Sequence, residues 1–391
     1  MKNKIFQAGR PVMGEKLIGR EKILENIVRL LISGQSVVLI APRRFGKTSL
    51  LIEALARIKN QGFFTANIDI FATPTKRILA EQITESVLKN RKLGKAFADL
   101  RKSITSILKQ FEFKQVVEEF EFILHFAEKN QDDHTLLADS IDFIDQFAVK
   151  NKKEIVCGFD EFGDIEKMDG KEIVKLFRSK VQLHQHASYI FSGSHESVMN
   201  QIFITSKSPF YRFARVIEVG EIEPPVFKAY IEKEFSRIGV EIKPNALDRI
   251  MGFSGGHPYY TQLVCRELEY VSASSDSLDS HDVDEAIEEA FWSEISYIEK
   301  TWDELSSSRE QTQVLIAIAE NVDSIYQTLD IKRVNVSRAL RKLTEKGIIK
   351  KKGKSYYLTD PMLMYFIRKD ILKWEKASGL NFKAELKKSD R

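Results

Sequence analysis

Residues 37–51, VVLIAPRRFGKTSLL, constrain this chain more than any other stretch. Four apolar residues run into a short loop ending in Gly46-Lys47-Thr48, and a segment with helical spacing follows at once. Strand, tight loop and helix in that order point successive backbone N–H groups inward at the positive end of the helix, which is a cradle for phosphate. Gly46 lets the backbone come close, Lys47 is placed to bridge β- and γ-phosphates, and the Thr48 hydroxyl is placed to hold Mg²⁺. The strict pattern is G-x-x-x-x-G-K-[ST], and Ala41 stands where it opens with glycine. An alanine there is unstrained at negative φ and strained at positive φ. The residues expected at the nucleotide are Ala41, Pro42, Arg43, Arg44, Phe45, Gly46, Lys47, Thr48 and Ser49.

The flanking text supplies the frame. GREKILENIVRLLI (19–32) has helical spacing, and FFTANIDIFA (63–72) reads as the next strand. Strand, loop, helix and strand over 35–72 make a βαβ unit and imply a parallel sheet. Further strands are expected in 153–165, 187–199 and 214–225, which gives a five-stranded doubly wound α/β sheet. Residues 76–150 read as a mostly helical insertion rich in Phe, Lys and Glu, with 119–126 as a candidate strand. The expected division is a core over 1–223, a helical unit over 224–300 and a third unit over 301–391.

A phosphate loop needs a metal-holding acid on a neighbouring strand. IVCGFDEF provides Asp160 at the end of an apolar run, placed to hold the Mg²⁺ shell, and Glu161 beside it, placed to polarise an attacking water.

In the third unit, 305–320 reads as one amphipathic helix and DSIYQTLD as a short second one. IKRVNVSRALRKLTEKGI is a third, apolar at Val334, Val336, Ala339, Leu340 and Leu343. Its opposite face carries Lys332, Arg333, Arg338, Arg341 and Lys342. A hairpin turning at Gly353 follows, with Lys350, Lys351, Lys352 and Lys354 on it, and a helix begins near Pro361. Three helices and a hairpin make a winged helix-turn-helix. Its basic helix suits the major groove of double-stranded DNA and its wing lysines suit phosphates. The net charge is only +4, so any nucleic-acid footprint is local.

GREKILENI, APRRFGKTSLL, CGFDEF, IFSGSH, SPFYRFARVIEVGEI and SGGHPYY together resemble the archaeal-type P-loop ATPases of the AAA+/STAND group, relatives of the origin-recognition initiators. The resemblance covers most of the chain, the insertion only loosely. It implies an AAA+-like ATPase core, a helical lid and the winged helix, with ATP or ADP and Mg²⁺ as cofactors. By the same resemblance, Gly19 and Arg20, with Glu21, line the adenine pocket. Ser192 and Ser194 take the sensor position, Arg212 and Arg215 are candidate arginine fingers, and Pro258 opens the lid helix near the nucleotide. A finger acting in trans requires a homo-oligomer.

The remaining features are bland. No apolar run is long enough to span a membrane, and the N-terminus lacks the apolar segment of a secretory signal, so a cytoplasmic protein is expected. Cys157 and Cys265 read as buried reduced thiols. His257, and the pair His184 and His186, are not expected to ligate metal. The leading expectation is an ATP-hydrolysing switch whose nucleotide sets the position of lid and winged helix. The alternatives are a DNA-binding regulator with structural nucleotide and little turnover, and a protein-interaction scaffold in defence or stress signalling that uses residues 90–150.

Overall fold

The computed structural model describes residues 5–91, 132–272, 275–322, 325–329 and 335–373. The candidate strand at 119–126, much of the insertion, and Val334, Lys332 and Arg333 lie outside the described residues.

Five parallel strands, β1 (Val37–Ile40), β2 (Phe64–Asp69), β3 (Ile155–Asp160), β4 (Ala187–Gly193) and β5 (Arg215–Glu218), form one sheet in the order β2-β3-β4-β1-β5. All five run the same way, so every carboxyl end opens on the same rim, and the β1 and β3 ends flank that of β4. β1 is buried throughout because both faces are covered, which is why it reads as an unbroken apolar run. Val37 and Leu39 pack with α1 (Glu21–Ile32) and α2 (Lys47–Asn60) on one face. Val38 and Ile40 pack on the other with α3 (Lys76–Leu88), α4 (Asp133–Lys150) and α5 (Glu166–Val181). The second face is phenylalanine-rich: Phe162 and Phe191 lie with ring centroids 4.7 Å apart, and Phe159 stacks on Phe191 at 5.8 Å. A short helix, α6 (Glu196–Phe203), follows β4.

Beyond β5, α7 (Pro224–Ser236), α8 (Pro244–Ser254), α9 (Pro258–Val271) and α10 (Ser280–Ser306) form a helical layer, with a two-residue strand pair, β6 (Glu241–Ile242) and β7 (Ser277–Leu278). α10 is continuous across the break expected at 300, with Asp279 and Asp282 forming a reciprocal cap at its start. The helix expected over 305–320 is interrupted. α10 ends at Ser306, and α11 (Arg309–Ala319) begins after Ser308, whose extended backbone (φ −112°, ψ 107°) breaks the helix. Next come α12 (Ile325–Thr328), α13 (Val336–Glu345), and an antiparallel hairpin of β8 (Ile349–Lys352) and β9 (Ser355–Leu358) turning at Gly353. α14 (Pro361–Phe366) starts on Pro361 with Asp360 as its cap, accepting hydrogen bonds from the Met362 and Leu363 amides. One apolar cluster runs from Phe227 in α7 to Ile367 after α14, so the layer and the C-terminal unit share a core.

The N-terminal segment is a strap, which its sequence did not suggest. Phe6 is buried against Phe235 of α7, and the Val12 and Gly14 amides donate to Ser49 Oγ and Glu53 Oε2 of α2 at 3.0 Å each.

Candidate functional site

The rim over β3, β4 and β1 gathers most of the expected polar residues. The loop 41–46 leaves β1 and enters α2, with Gly46 as N-cap in the left-handed region (φ +86°), which glycine adopts freely. Positive φ falls on Arg44 and Gly46 rather than on Ala41, so the missing glycine at 41 introduces no backbone strain. Lys47 is buried, and its ammonium donates to the carbonyls of Ala41 and Pro42 at 2.9 and 2.7 Å. Burial pulls its pKa down to about 8, against the opposing charges of Glu161, Asp160 and Glu196.

The parallel register then brings the acids in. Thr48 Oγ1 donates to Asp160 Oδ2 at 2.7 Å across 112 residues of sequence. Ser192, at the end of β4 between the two, donates to Asp160 Oδ1. Glu161 has a left-handed backbone (φ +50°), and its carboxylate accepts from the Ser194 amide at 2.8 Å and from the Ser194 hydroxyl. A hydroxyl beside a carboxylate is a hard, all-oxygen donor set. Among the described residues no group of three or more His, Cys, Asp or Glu side chains could hold a metal. Two protein ligands suit Mg²⁺, which keeps waters and phosphate oxygens in its shell.

Several residues here were not legible in the sequence. Asp69 ends β2 in register with Asp160, and burial, aided by the Asp160 and Glu161 charges, raises its pKa. Glu196, in the first turn of α6, has its pKa raised by burial, while Lys350 and Lys47 act to lower it. Glu294 of α10 pairs with Arg44 at 2.5 Å and accepts from the Tyr259 hydroxyl, while the Arg44 guanidinium lies 4.1 Å over the Tyr259 ring. Only the strand-end position of Asp69 offered a signal beforehand. The other contacts come from elements distant in sequence.

The expected entrance and lid residues also reach the loop. Arg20 is buried and donates to the Gly220 carbonyl at 2.5 Å and, at 3.4 Å, to that of Phe45; burial pulls its pKa down to about 10. Gly19 precedes it, with the Ile222 side chain packed close. Pro258 is the first residue of α9. Its neighbour His257 lies 4.5 Å from the Phe45 ring, and burial pushes the imidazole pKa down to about 3. Arg43 approaches His195 at 3.5 Å.

The placement of the candidate fingers and of one hairpin lysine differs from the rest of the site. Arg215 pairs in register with Val37 at the amino end of β1, so it and Arg212 sit at the opposite end of the sheet from their own phosphate loop. Lys350 does not project with the other hairpin lysines. Its ammonium lies 3.7 Å from Glu196 and 5.6 Å from the Phe45 ring centre. Arg338, Arg341, Lys342, Lys351 and Lys354 are exposed, the first three opposite the buried Val336, Ala339, Leu340 and Leu343.

A family described as an ATPase domain predominantly from Archaea matches residues 17–264. No curated protein matches the sequence. Among solved structures, the Walker-type ATPase PABY2304 of Pyrococcus abyssi is similar at a TM-score of 0.67 and 17% identity, over 93% of this chain and 99% of that one. The ORC2 protein of Aeropyrum pernix, solved in ADPNP–ADP complexes, is similar at a TM-score of 0.57 and 14% identity, over 96% and 98% of the two chains. At such identities the likeness is one of fold. Among the described residues no helix is long and apolar enough to cross a membrane.

Proposed function

This chain belongs to the family of ATPase domains found predominantly in Archaea, and on that footing we propose that it binds and hydrolyses ATP as a nucleotide-controlled switch. The observation that carries this reading is the contact of Thr48 with Asp160 beside the buried Lys47. The Ala41 and Pro42 carbonyls hold the Lys47 ammonium where a β- or γ-phosphate would replace them, and the first amides of α2 face the same space. Thr48 and Asp160 would hold Mg²⁺, which neutralises charge on phosphate oxygens when bound. Glu161, released from Ser194, orients the attacking water. Ser192 keeps Asp160 in place.

The switch follows from what else touches the loop. Arg44 is tied to Glu294, and Phe45 to His257 and Lys350, so a loop reshaped around a triphosphate must disturb contacts with the helical layer and the hairpin. We assign residues 224–306 to the lid and 307–391 to a winged helix that binds duplex DNA through Arg338, Arg341 and Lys342, with Lys351 and Lys354 on phosphates. Lys332 and Arg333, outside the described residues, belong to the same proposed DNA-binding set.

Lys47→Ala is the direct test. ATP binding by titration calorimetry and phosphate release should both be lost, and unchanged values would remove the proposal. A second reading, structural nucleotide with little turnover, is favoured by Glu161 being engaged with Ser194. It predicts phosphate release no faster than that of Glu161→Gln. For DNA, duplex binding that weakens with salt and is lost in Arg338→Ala/Arg341→Ala would support the assignment.

A further inference from the structure

The hairpin lysine that faces inward is the feature the expected DNA role leaves unused. Lys350 stands on β8, far in sequence from the phosphate loop, yet its ammonium lies 3.7 Å from Glu196 Oε1 and 5.6 Å from the centre of the Phe45 ring. Glu196 opens α6, two residues beyond Ser194, and Lys47 acts on its carboxylate together with Lys350. The turn between α13 and β8 closes on the same carboxylate: a Cβ on Gly347 would lie 3.4 Å from Glu196 Oε2. Tyr357, across the hairpin from Lys350, is half-buried on this side, and burial, with Glu221 and Glu196 nearby, pushes its pKa up to about 12. The hairpin therefore brings a cation beside the phosphate loop and rests it on a carboxylate.

A lysine in such a place has a competitor for its partner. A triphosphate seated in the loop brings more negative charge than Glu196 does, and the flexible four-carbon stem lets the ammonium change partner without moving the backbone. We propose that Lys350 is a phosphate-reading residue, held by Glu196 when the loop is empty and transferred to the terminal phosphate of a bound nucleoside triphosphate. The inference rests on the ATP-binding reading above. It assigns to the hairpin the discrimination of triphosphate from diphosphate, because a diphosphate presents no group at the terminal position.

The test measures dissociation constants for ATP and ADP by competition against a fluorescent ADP analogue, in wild type, Lys350→Met, Lys350→Arg, Glu196→Gln and Lys47→Ala. Lys350→Met should weaken ATP about 10- to 100-fold while leaving ADP within about twofold, the scale of one charge-assisted hydrogen bond. Lys350→Arg, which keeps the cation, should restore most of the preference, and Glu196→Gln should not weaken ATP. Equal loss of ATP and ADP in Lys350→Met would mean that the residue merely holds the fold, and no loss of either would mean that it stays with Glu196. Both outcomes overturn the inference while leaving the binding reading intact if Lys47→Ala still abolishes binding. Wild type that binds neither nucleotide overturns both.

Discussion

The guanidinium of Arg44 and the carboxylate of Glu294, 250 residues apart, meet at 2.5 Å. One belongs to the phosphate loop and the other to the longest helix of the layer above it. Glu294 is buried and also accepts from Tyr259, so removing Arg44 strands part of a desolvated carboxylate. Arg44→Ala should lower unfolding free energy by about 1–3 kcal/mol. A cycle with Glu294→Ala should show a coupling of about 1 kcal/mol, because Arg44 is partly exposed. Additive effects in urea unfolding would show that the pair carries no coupling.

Lys47 makes nucleotide affinity depend on pH. Its folded pKa of about 8 lies below the ordinary 10.5, so the empty protein binds fewer protons there than the unfolded chain does between those values. Stability of the empty protein should therefore rise with pH through that window. ATP affinity should move the opposite way, falling about tenfold per pH unit above 8, since a phosphate needs the ammonium. Calorimetry in buffers of different ionisation enthalpy should register proton uptake on binding above pH 8. Affinity that stays flat to pH 9.5 would contradict the assignment.

What the sequence could and could not disclose divides along physical lines. The sheet was legible because buried parallel strands are short apolar runs ending in punctuation, as at IVCGFD before Glu161. The approach of Thr48 to Asp160 was legible because a phosphate loop and an acid must share one rim of such a sheet. The ties from Glu294 and Lys350 to the loop were not, since nothing local marks which residue of a remote helix or hairpin comes home. Lys350 misled for a related reason: four lysines in a short hairpin look alike as letters, and only the packing of α13 and β8 onto Glu196 sets one apart.

Gly255 and Gly256 offer a matched pair. Both have positive φ, +60° and +86°, but a Cβ on Gly255 meets nothing within 4 Å, whereas one on Gly256 would lie 2.2 Å from the Ile222 carbonyl oxygen. That carbonyl belongs to the segment linking β5 to α7, and the Ile222 amide donates to Gly256 O at 2.9 Å. Gly255→Ala should cost about 1 kcal/mol from left-handed strain, and Gly256→Ala at least about 3 kcal/mol. Denaturant curves of the two variants decide it, and equal losses would exclude the backbone contact.

Arg215 lies beside Val37, at the end of β1 away from the phosphate loop, so a finger role for it or Arg212 would require another copy's nucleotide. If they are fingers, Arg212→Ala/Arg215→Ala should lower turnover about a thousandfold with ATP affinity nearly intact. Mixing that variant with Lys47→Ala should restore phosphate release, as each supplies what the other lacks. Turnover independent of protein concentration, with no recovery on mixing, would leave both arginines as surface residues.

The core shared by the helical layer and the C-terminal unit leaves no seam between them. Helix α10, with 27 residues, spans about 40 Å. A rotation of about 10° about one end of α10 would carry its other end by about 7 Å. If nucleotide moves the loop under Arg44, the shared core would carry the helical layer and the described C-terminal elements together, as one lever rather than two.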